Sequence, residues 1–200
     1  MIYVNTLDKF GVKLDGRNQR TKFPHLKTRY RVTFCGLNGY RGSDNITMDM
    51  KRCDEPKGSF EKKEINTWNG DIYYPGKWTW DEISFDVYNS YDNLNYRELY
   101  GQIQQQRDLS RQVTGTVAQN YKFLTKFERT DGHHNGVLTW IMEGCFLTKA
   151  QGDGGENGSH DASIISCSMV FDNAVMYDWN GTLINDPGAI STYMARTMAY

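Results

Sequence analysis

The sequence has no long apolar run and no strong charge of either sign, and each absence removes a class of protein. No stretch approaches the roughly 20 apolar residues that span a bilayer, and the N-terminus, MIYVNTLDKF, lacks the apolar core of a secretory signal. The formal net charge of -1 is unlike that of a strongly basic nucleic-acid binder. We therefore expect a soluble protein that is made in a cytoplasm and does not insert into a membrane.

Paired cysteines are also missing. The four cysteines occur singly in strand-like segments, not in the Cys-x-x-Cys pairs of zinc ribbons and redox motifs. Free cysteine packs as a small hydrophobe and disulfides are rare in the cytosol, so we predict buried free thiols at Cys35, Cys53, Cys145 and Cys167. A disulfide between subunits after release from the cell is the alternative.

No motif for catalysis or cofactor binding is found in the sequence. The glycine run at 152–158 lacks the Gly-Lys-Ser/Thr ending of a phosphate loop, and its acidic neighbours would repel phosphate. Solvated turns are a better interpretation than a cation site formed by His133, His160, Asp153 and Glu156. The sequence predicts no catalytic residue, no metal, no cofactor and no enzyme.

Strand patterns fill most of the chain after a polar, glycine-marked stretch at 1–28, which we interpret as an N-terminal arm. Tyr30, Val32 and Phe34 alternate with polar residues, and the apolar residues at 46, 48 and 50 repeat this period of two. A long hairpin with its turn at 131–136 follows later in the chain, and then a glycine-rich acidic loop at 151–161. These patterns predict a mainly antiparallel β protein.

Residues 58–76 are unlike a core strand because their first arm is highly charged. Trp68-Asn69-Gly70-Asp71 at the centre is a short-loop hairpin signal. The segment is either a solvated β-arm or an interface element, and the residues that define it are Phe60, Glu61, Lys62, Lys63, Glu64, Trp68, Ile72, Tyr73 and Tyr74.

A strand follows at 74–90. After a predicted turn at Pro75-Gly76, Trp78 and Trp80 and then the core residues Ile83, Phe85 and Val87 alternate on either side of Asp81-Glu82, which indicates a bulge or a change of face there.

A helix is predicted over residues 92–107. Ser90 or Asp92 can cap its N-terminus, and Gly101 allows close packing against the sheet. Its apolar face consists of Tyr96, Leu99, Tyr100 and Ile103. Beyond a terminal strand at 163–177, residues 178–200 form an extension in which a short helix after Asp186-Pro187 and a disordered tail are equally compatible with the sequence.

Three segments in order resemble the tail tube proteins of contractile phages: YPGKWTWDEISFDVYNS at 74–90, WIMEGCFLTKA at 140–150 and SIISCSMVFDNAVMY at 163–177. Leu147 departs from that family, which usually has proline there. The resemblance implies a β-sandwich or distorted antiparallel barrel over residues 29–177, with one flanking helix.

The resemblance also implies a function. Subunits would form hexameric rings that stack into the inner tube of a virion, assembled in the host cytoplasm, through which phage DNA is ejected. Expected partners are further copies of the chain, the tail sheath, baseplate and tail terminator proteins, and the tape measure protein and DNA in the lumen. The hairpin at 58–76 would reach toward neighbouring subunits and rings.

Alternation then identifies candidate lumen residues. With the apolar side chains of two strands in the core, the opposite face presents Glu82, Ser84, Asp86, Ser166, Ser168 and Asp172. A face that meets solvent or a neighbouring subunit is the alternative. Two other functions stay open: a tube subunit of a type VI-like injection system or baseplate tube initiator, and a carbohydrate-binding β-sandwich.

Overall fold

The computed structural model describes residues 13–14, 17–18, 25–39, 44–114, 121–131, 135–155, 158 and 160–184. Of the predicted arm, only residues 13–14, 17–18 and 25–28 are described, and the predicted C-terminal helix lies outside the described residues. The helices are α1 (Asp44–Met48), α2 (Leu94–Gln106) and a 3-10 turn (Leu37–Gly39). The strands are β1 (Lys13–Leu14), β2 (Arg17–Asn18), β3 (Tyr30–Cys35), β4 (Met50–Cys53), β5 (Gly58–Thr67), β6 (Gly70–Trp80), β7 (Ile83–Tyr88), β8 (Arg107–Asp108), β9 (Val113–Thr114), β10 (Phe123–Thr130), β11 (Gly136–Gly152), β12 (Ile164–Val170) and β13 (Asn173–Asp178).

The main sheet is antiparallel and has seven strands in the order β3-β10-β11-β12-β7-β4, with β13 paired to β11. The long strand β11 bends at Gly144, whose φ of +68° suits glycine. Its first half pairs with β10 and β13, and most of its second half pairs with β12. The long hairpin predicted around residues 131–136 is confirmed as the pair β10 and β11. The predicted terminal strand is present as two strands, β12 and β13, with a bend at Phe171-Asp172 between them.

The core lies between the two halves of this bent sheet. Phe34 of β3 and Phe85 of β7 meet across it, with ring centroids 5.4 Å apart. The predicted alternation is confirmed, because the buried side chains include Val32, Phe34, Ile83, Phe85, Val87, Ile165, Cys167, Met169 and Phe171. Each of the buried Val, Ile, Phe and Met side chains contributes about 1.5–3 kcal/mol through burial. The architecture is the predicted mainly β sandwich with a flanking helix.

Helix α2 confirms the predicted helix and adds a polar element to its buried face. Leu99 is fully buried, and Tyr96 and Ile103 pack partly buried against the core. Asn93 precedes the helix in the left-handed region, and the Asp92 carboxylate accepts a hydrogen bond from the Leu94 N–H at 3.3 Å. The prediction did not include the two fully buried polar residues of this helix, Asn95 and Gln102.

Gly101 allows close packing, but its neighbour is the 3-10 turn rather than the sheet. A Cβ at this position would lie 2.5 Å from the Asn38 side-chain amide. The Gln105 amide also donates a hydrogen bond to Asn38 Oδ1 at 3.1 Å. The helix is therefore fixed against this turn through a glycine contact and a hydrogen bond.

The strand predicted over positions 46–50 is wrong. Residues 44–48 form helix α1, and Met50 begins β4. Ile46 is fully buried whereas Met48 is 81% exposed, so these two side chains do not share a face. Ile46 and Met50 are also four residues apart, a spacing that fits one side of a helical turn, which is why the short pattern was ambiguous.

The segment at 74–90 also differs from its prediction. Pro75-Gly76 is not a turn but part of a bulge inside β6, because Phe60 pairs with Trp78 while Lys62 pairs with Pro75. At Asp81-Glu82 the strand ends, and the chain passes from the hairpin to β7 of the main sheet. The hairpin thus extends to Trp80, four residues beyond the predicted boundary.

Candidate assembly surfaces

The β5–β6 hairpin projects from the sandwich as a separate two-stranded sheet, joined by a loop at Trp68-Asn69. Every residue from Ser59 to Pro75 is exposed, and Trp68 at the tip is 100% exposed. The structure brings all nine predicted hairpin residues together on this element. An isolated two-stranded hairpin is marginally stable in water, so its length and apolar content call for a further contact.

The hairpin has two unlike faces, because directly opposed residues of an antiparallel pair share a face. On one face Ile65 opposes Ile72 and Lys63 opposes Tyr74, so the distal part of this face is apolar, with the Lys63–Glu61 ion pair at 3.9 Å nearer the root. Ile65 and Ile72 are 52% and 58% exposed. On the other face Glu64 opposes Tyr73, with the Lys62 ammonium 3.6 Å from the Tyr73 ring centroid. The apolar face is the one that a partner would cover.

A ladder of aromatic rings fixes the root of the hairpin on the core. Successive ring centroids lie 4.6 Å apart for Phe60 and Trp78, 5.2 Å for Trp78 and Trp80, and 5.3 Å for Trp80 and Phe171. Phe171 is itself buried. The stacked rings therefore hold the root of the hairpin in place at the bend between β12 and β13. Among the described residues, the distal part of the hairpin has no ring contact with the sandwich.

The exposed face of β7 and β12 collects most of the predicted lumen residues. Ser84 is paired with Ser168, and Asp86 with Ser166, whose hydroxyl donates to the Asp86 carboxylate at 2.8 Å. The Glu82 carboxylate accepts a hydrogen bond from the Thr148 hydroxyl. These residues form one continuous polar surface of small hydroxyls and carboxylates.

Asp172 is placed differently from the rest of that set. It lies at the bend beside Gly144 and forms an ion pair with the Lys122 ammonium at 2.5 Å. The polar surface is flanked by two cationic side chains that were not predicted from the sequence. Arg52 is paired in register with Asp86, and Lys149 with Ser168. To find these two residues from the sequence, one would need the order of the strands in the sheet, which the alternation of apolar residues does not predict.

Helix α2 covers the edge of the second half of β11. The Gln106 side chain, in the amide orientation that satisfies both groups, donates to the Leu147 carbonyl at 2.8 Å and accepts from its N–H at 3.0 Å. The Tyr100 hydroxyl donates to the Ala150 carbonyl at 3.3 Å. Side chains of the helix thus occupy backbone groups that would otherwise be open to strand pairing.

Polar side chains also hold the helix at its buried side. The Gln102 oxygen accepts a hydrogen bond from the Asn38 N–H at 2.6 Å, and its amide donates to the Tyr121 carbonyl. The Asn95 amide donates to the Asp49 carboxylate at 2.6 Å and to the Tyr88 carbonyl at 3.0 Å. The sequence signal for this docking was the run of amides QIQQQ at 102–106.

The cysteines are free, with Cys145 and Cys167 buried and Cys35 and Cys53 half-buried. Burial raises the pKa of the Cys53 and Cys167 thiols to about 12, and that of Cys145 to about 11. These three thiols therefore stay protonated near neutral pH and are poor nucleophiles.

In the part of the chain that the structure describes, no group of three or more His, Cys, Asp or Glu side chains is placed to hold a metal ion. None of the helices described is long and apolar enough to cross a membrane.

Similar folds occur among solved structures, although no protein-family model and no curated protein matches the sequence. A chain of the anti-feeding prophage baseplate is 12% identical, with a TM-score of 0.62 over 80% of this chain and 99% of that one. A chain of the anti-feeding prophage tube-terminating cap is 11% identical, with a TM-score of 0.61 over 84% and 99%. A chain of the sheath–tube complex of the extracellular contractile injection system PVC is 14% identical, with a TM-score of 0.58 over 78% and 93%.

These similarities cover nearly the full length of the solved chains and about four-fifths of this one. At such low identity they establish the fold and leave residue roles to the geometry of this chain. The protein has the tail-tube fold found in components of contractile injection systems.

Proposed function

We propose that this protein is a structural, non-enzymatic subunit of the inner tube of a contractile tail, built from stacked hexameric rings. The observation that carries the proposal is the exposed apolar face of the β5–β6 hairpin on a tail-tube fold. The root of this hairpin is fixed on the core, and the rest of it is exposed. The exposed part carries Ile65, Ile72 and the tip residue Trp68. A surface of this kind marks an interaction site.

Ring formation would also use the ends of the main sheet. β3 and β4 terminate the strand order, so their outer edges have no strand partner among the described residues. Pairing around a ring removes such edges, which otherwise invite uncontrolled association. Rings that stack head to tail use different surfaces of the same subunit, a contact that continues without closure and gives a tube.

Negative-stain electron microscopy of the purified protein tests this proposal. Rings or open-ended tubes are expected. Compact monomers at all concentrations would contradict it, and glycan binding by those monomers would favour the carbohydrate-binding alternative. Single rings that never elongate would favour a baseplate tube initiator.

The polar face of β7 and β12 is the proposed lumen wall. Its residues Glu82, Ser84, Asp86, Ser166 and Ser168 carry no positive charge, and of the two cations that flank them, Arg52 is already paired with Asp54. Each further Lys or Arg contact with a phosphate would add salt-dependent affinity to a passing duplex. Asp172, the sixth predicted lumen residue, lies at the bend beside this face and forms its own ion pair with Lys122. In this proposal the tube belongs to a phage and DNA passes through it. The side of α2 that carries Gln104, Gln105 and Arg107 faces the sheath, with Gln105 half-buried and bonded to Asn38.

Charge reversal on this face tests the lumen proposal. Tails with Ser84→Lys, Asp86→Lys and Ser168→Lys should assemble but eject DNA slowly at low salt, because every ring presents new phosphate contacts. The matched control changes the same three positions to Asn and should eject at the normal rate. Normal ejection by the lysine variant, or lysines found on the outside of the tube, would overturn the assignment.

A tube subunit of an injection system is the second candidate, favoured by the origin of the solved structures described above. The lysine variant discriminates between a phage tube and an injection-system tube, once the molecule that passes through the tube is identified. A tube that carries DNA should be slowed by the added lysines, whereas a tube that delivers a protein without nucleic acid should keep its rate of delivery unless that protein is strongly acidic.

A further inference from the structure

A groove of about 610 Å³ lies between the start of β3 and the end of β4, the two terminal strands of the main sheet. Residues 25–30 line one side and residues 51–55 the other, with Phe127 and Arg129 at the base. Phe127 and Arg129 belong to β10, the strand paired with β3, so side chains of both strands line the groove. The groove can therefore accept a further chain segment through its side chains, while the outer edges of β3 and β4 stay available for ring formation.

The groove carries an excess of positive charge. Its lining contains five Lys or Arg side chains and two carboxylates. Both carboxylates are already paired, Asp54 with Arg52 at 3.1 Å and Glu55 with Arg129. Lys27 and Lys51 are exposed, and no carboxylate of the described residues lies within ion-pair distance of either. In a chain with a net charge of -1, this concentration of cations calls for an acidic partner.

The chain itself contains one segment with the complementary composition. Residues 151–161, QGDGGENGSHD, hold three carboxylates and no Lys or Arg, and all three carboxylates follow the end of β11 at Gly152. The other candidate segment, residues 1–24, carries five Lys or Arg against two Asp and would be repelled by the groove. Charge therefore selects the acidic segment as the occupant.

The groove and the acidic segment border opposite ends of β7. Cys53 pairs with Phe85, and the Asp54 N–H bonds to the Ser84 carbonyl, so the carboxylate-bearing end of the groove lies near the start of β7. The acidic segment leads into β12 at Ile164, which pairs with Tyr88 at the end of β7. A subunit with a socket toward one end and a complementary segment at the other can join copies head to tail.

We propose that the groove between β3 and β4 binds the acidic segment Gln151–Asp161 of a second copy. This contact is separate from the hairpin contact and rests on the proposed tube assembly. It is electrostatic and orients successive subunits, because like ends repel and unlike ends attract.

Paired charge reversals test the contact. Lys27→Glu with Lys51→Glu, and separately Asp153→Lys with Glu156→Lys, should each raise the critical concentration for tube assembly by about tenfold or more, as expected for lost charge pairs. The combined variant restores opposite charges and should return that concentration close to the wild-type value. Arg97→Glu with Arg107→Glu makes the same change in net charge on exposed positions of α2 and its end, and should assemble normally.

The outcomes separate this contact from the tube itself. Normal assembly by the groove variant would overturn the groove proposal and leave the tube proposal standing. If the wild-type protein forms no tubes, the contact can be tested by crosslinking. Equal amounts of a Lys51→Cys variant and an Asp153→Cys variant are mixed and oxidised. Random pairing of equal amounts gives twice as much heterodimer as either homodimer, so a heterodimer yield well above this ratio supports the contact, and the random ratio overturns it. DNA binding that is lost in the groove variant while assembly is unchanged would also overturn it, in favour of a nucleic-acid site.

Discussion

The sandwich and the hairpin are built from the same chain but complete their interactions in different ways. In the sandwich, the second half of β11 is covered by Gln106 and Tyr100, and its apolar residues are buried. In the hairpin, Ile65, Ile72 and Trp68 stay exposed although the root is fixed by stacked rings. The sandwich has the packed core of an independent fold, whereas the hairpin carries the surface that a second subunit would complete.

Replacing the hairpin should have the largest effect and affect only assembly. Phe60 and Trp78 are directly paired, so an Asn-Gly turn in place of residues 61–77 joins them and keeps the aromatic root. We expect folded monomers with cooperative unfolding and no tubes, measured by analytical ultracentrifugation and electron microscopy. Normal tubes from this variant would show that the hairpin is not the subunit contact.

Leu99→Ala should instead damage the sandwich. Leu99 is fully buried in the core cluster, so its truncation should lower the free energy of unfolding by about 2–5 kcal/mol. Denaturant titration of the monomeric hairpin-replacement variant measures this without interference from assembly. An unchanged midpoint would mean that α2 does not pack on the core as described.

Gly101→Ala sets helix propensity against packing. Propensity alone predicts a gain of about 1 kcal/mol, whereas a Cβ placed 2.5 Å from the Asn38 amide predicts overpacking at a cost of about 1–3 kcal/mol. We expect net destabilisation in thermal unfolding. Asn38→Gly in the same background should recover part of it, since Asn38 has a φ of +51° that glycine adopts easily. A stabilised Gly101→Ala protein would contradict the contact.

Ile65→Ser with Ile72→Ser should have the smallest effect on folding. Both side chains are more than half exposed, so the free energy of unfolding of the monomer should change by less than about 0.5 kcal/mol. The critical concentration for assembly should nevertheless rise, because the apolar face is lost. Lys62→Gln with Glu64→Gln on the opposite face is the matched control. If the isoleucine pair and the control pair raised the critical concentration equally, the contact would not depend on which face of the hairpin is changed.

Strand alternation made much of the fold predictable from the sequence. Tyr30 to Phe34, Ile83 to Val87 and Ile165 to Phe171 alternate over enough residues for their buried faces to be identified, and the structure confirms them. The pattern at 46–50 is as short as two of these, but two of its three apolar residues are methionine, which favours helices. The confirmed patterns contain mainly β-branched and aromatic residues, which favour strands.

The remaining features depend on contacts between distant parts of the chain. Pro75-Gly76 has the composition of a turn, but cross-strand pairing with Phe60 to Lys62 keeps it inside β6 as a bulge. Gln102 and Gln106 have the composition of an exposed helix face, yet they bond to Asn38, Tyr121 and Leu147. The basic groove combines residues from β3, β4 and β10, which no local pattern could have assembled.

Cryo-electron microscopy of the assembled protein, at a resolution that traces side chains, tests the central proposal most directly. We predict rings of six subunits stacked into an open tube, with the Ile65 and Ile72 face of each hairpin buried against a neighbouring copy. The polar face of Ser84, Asp86, Ser166 and Ser168 should line the channel. A tube in which the hairpins point into solvent would contradict the proposed role of the hairpin, and a protein that shows no ordered assembly would contradict the proposed function.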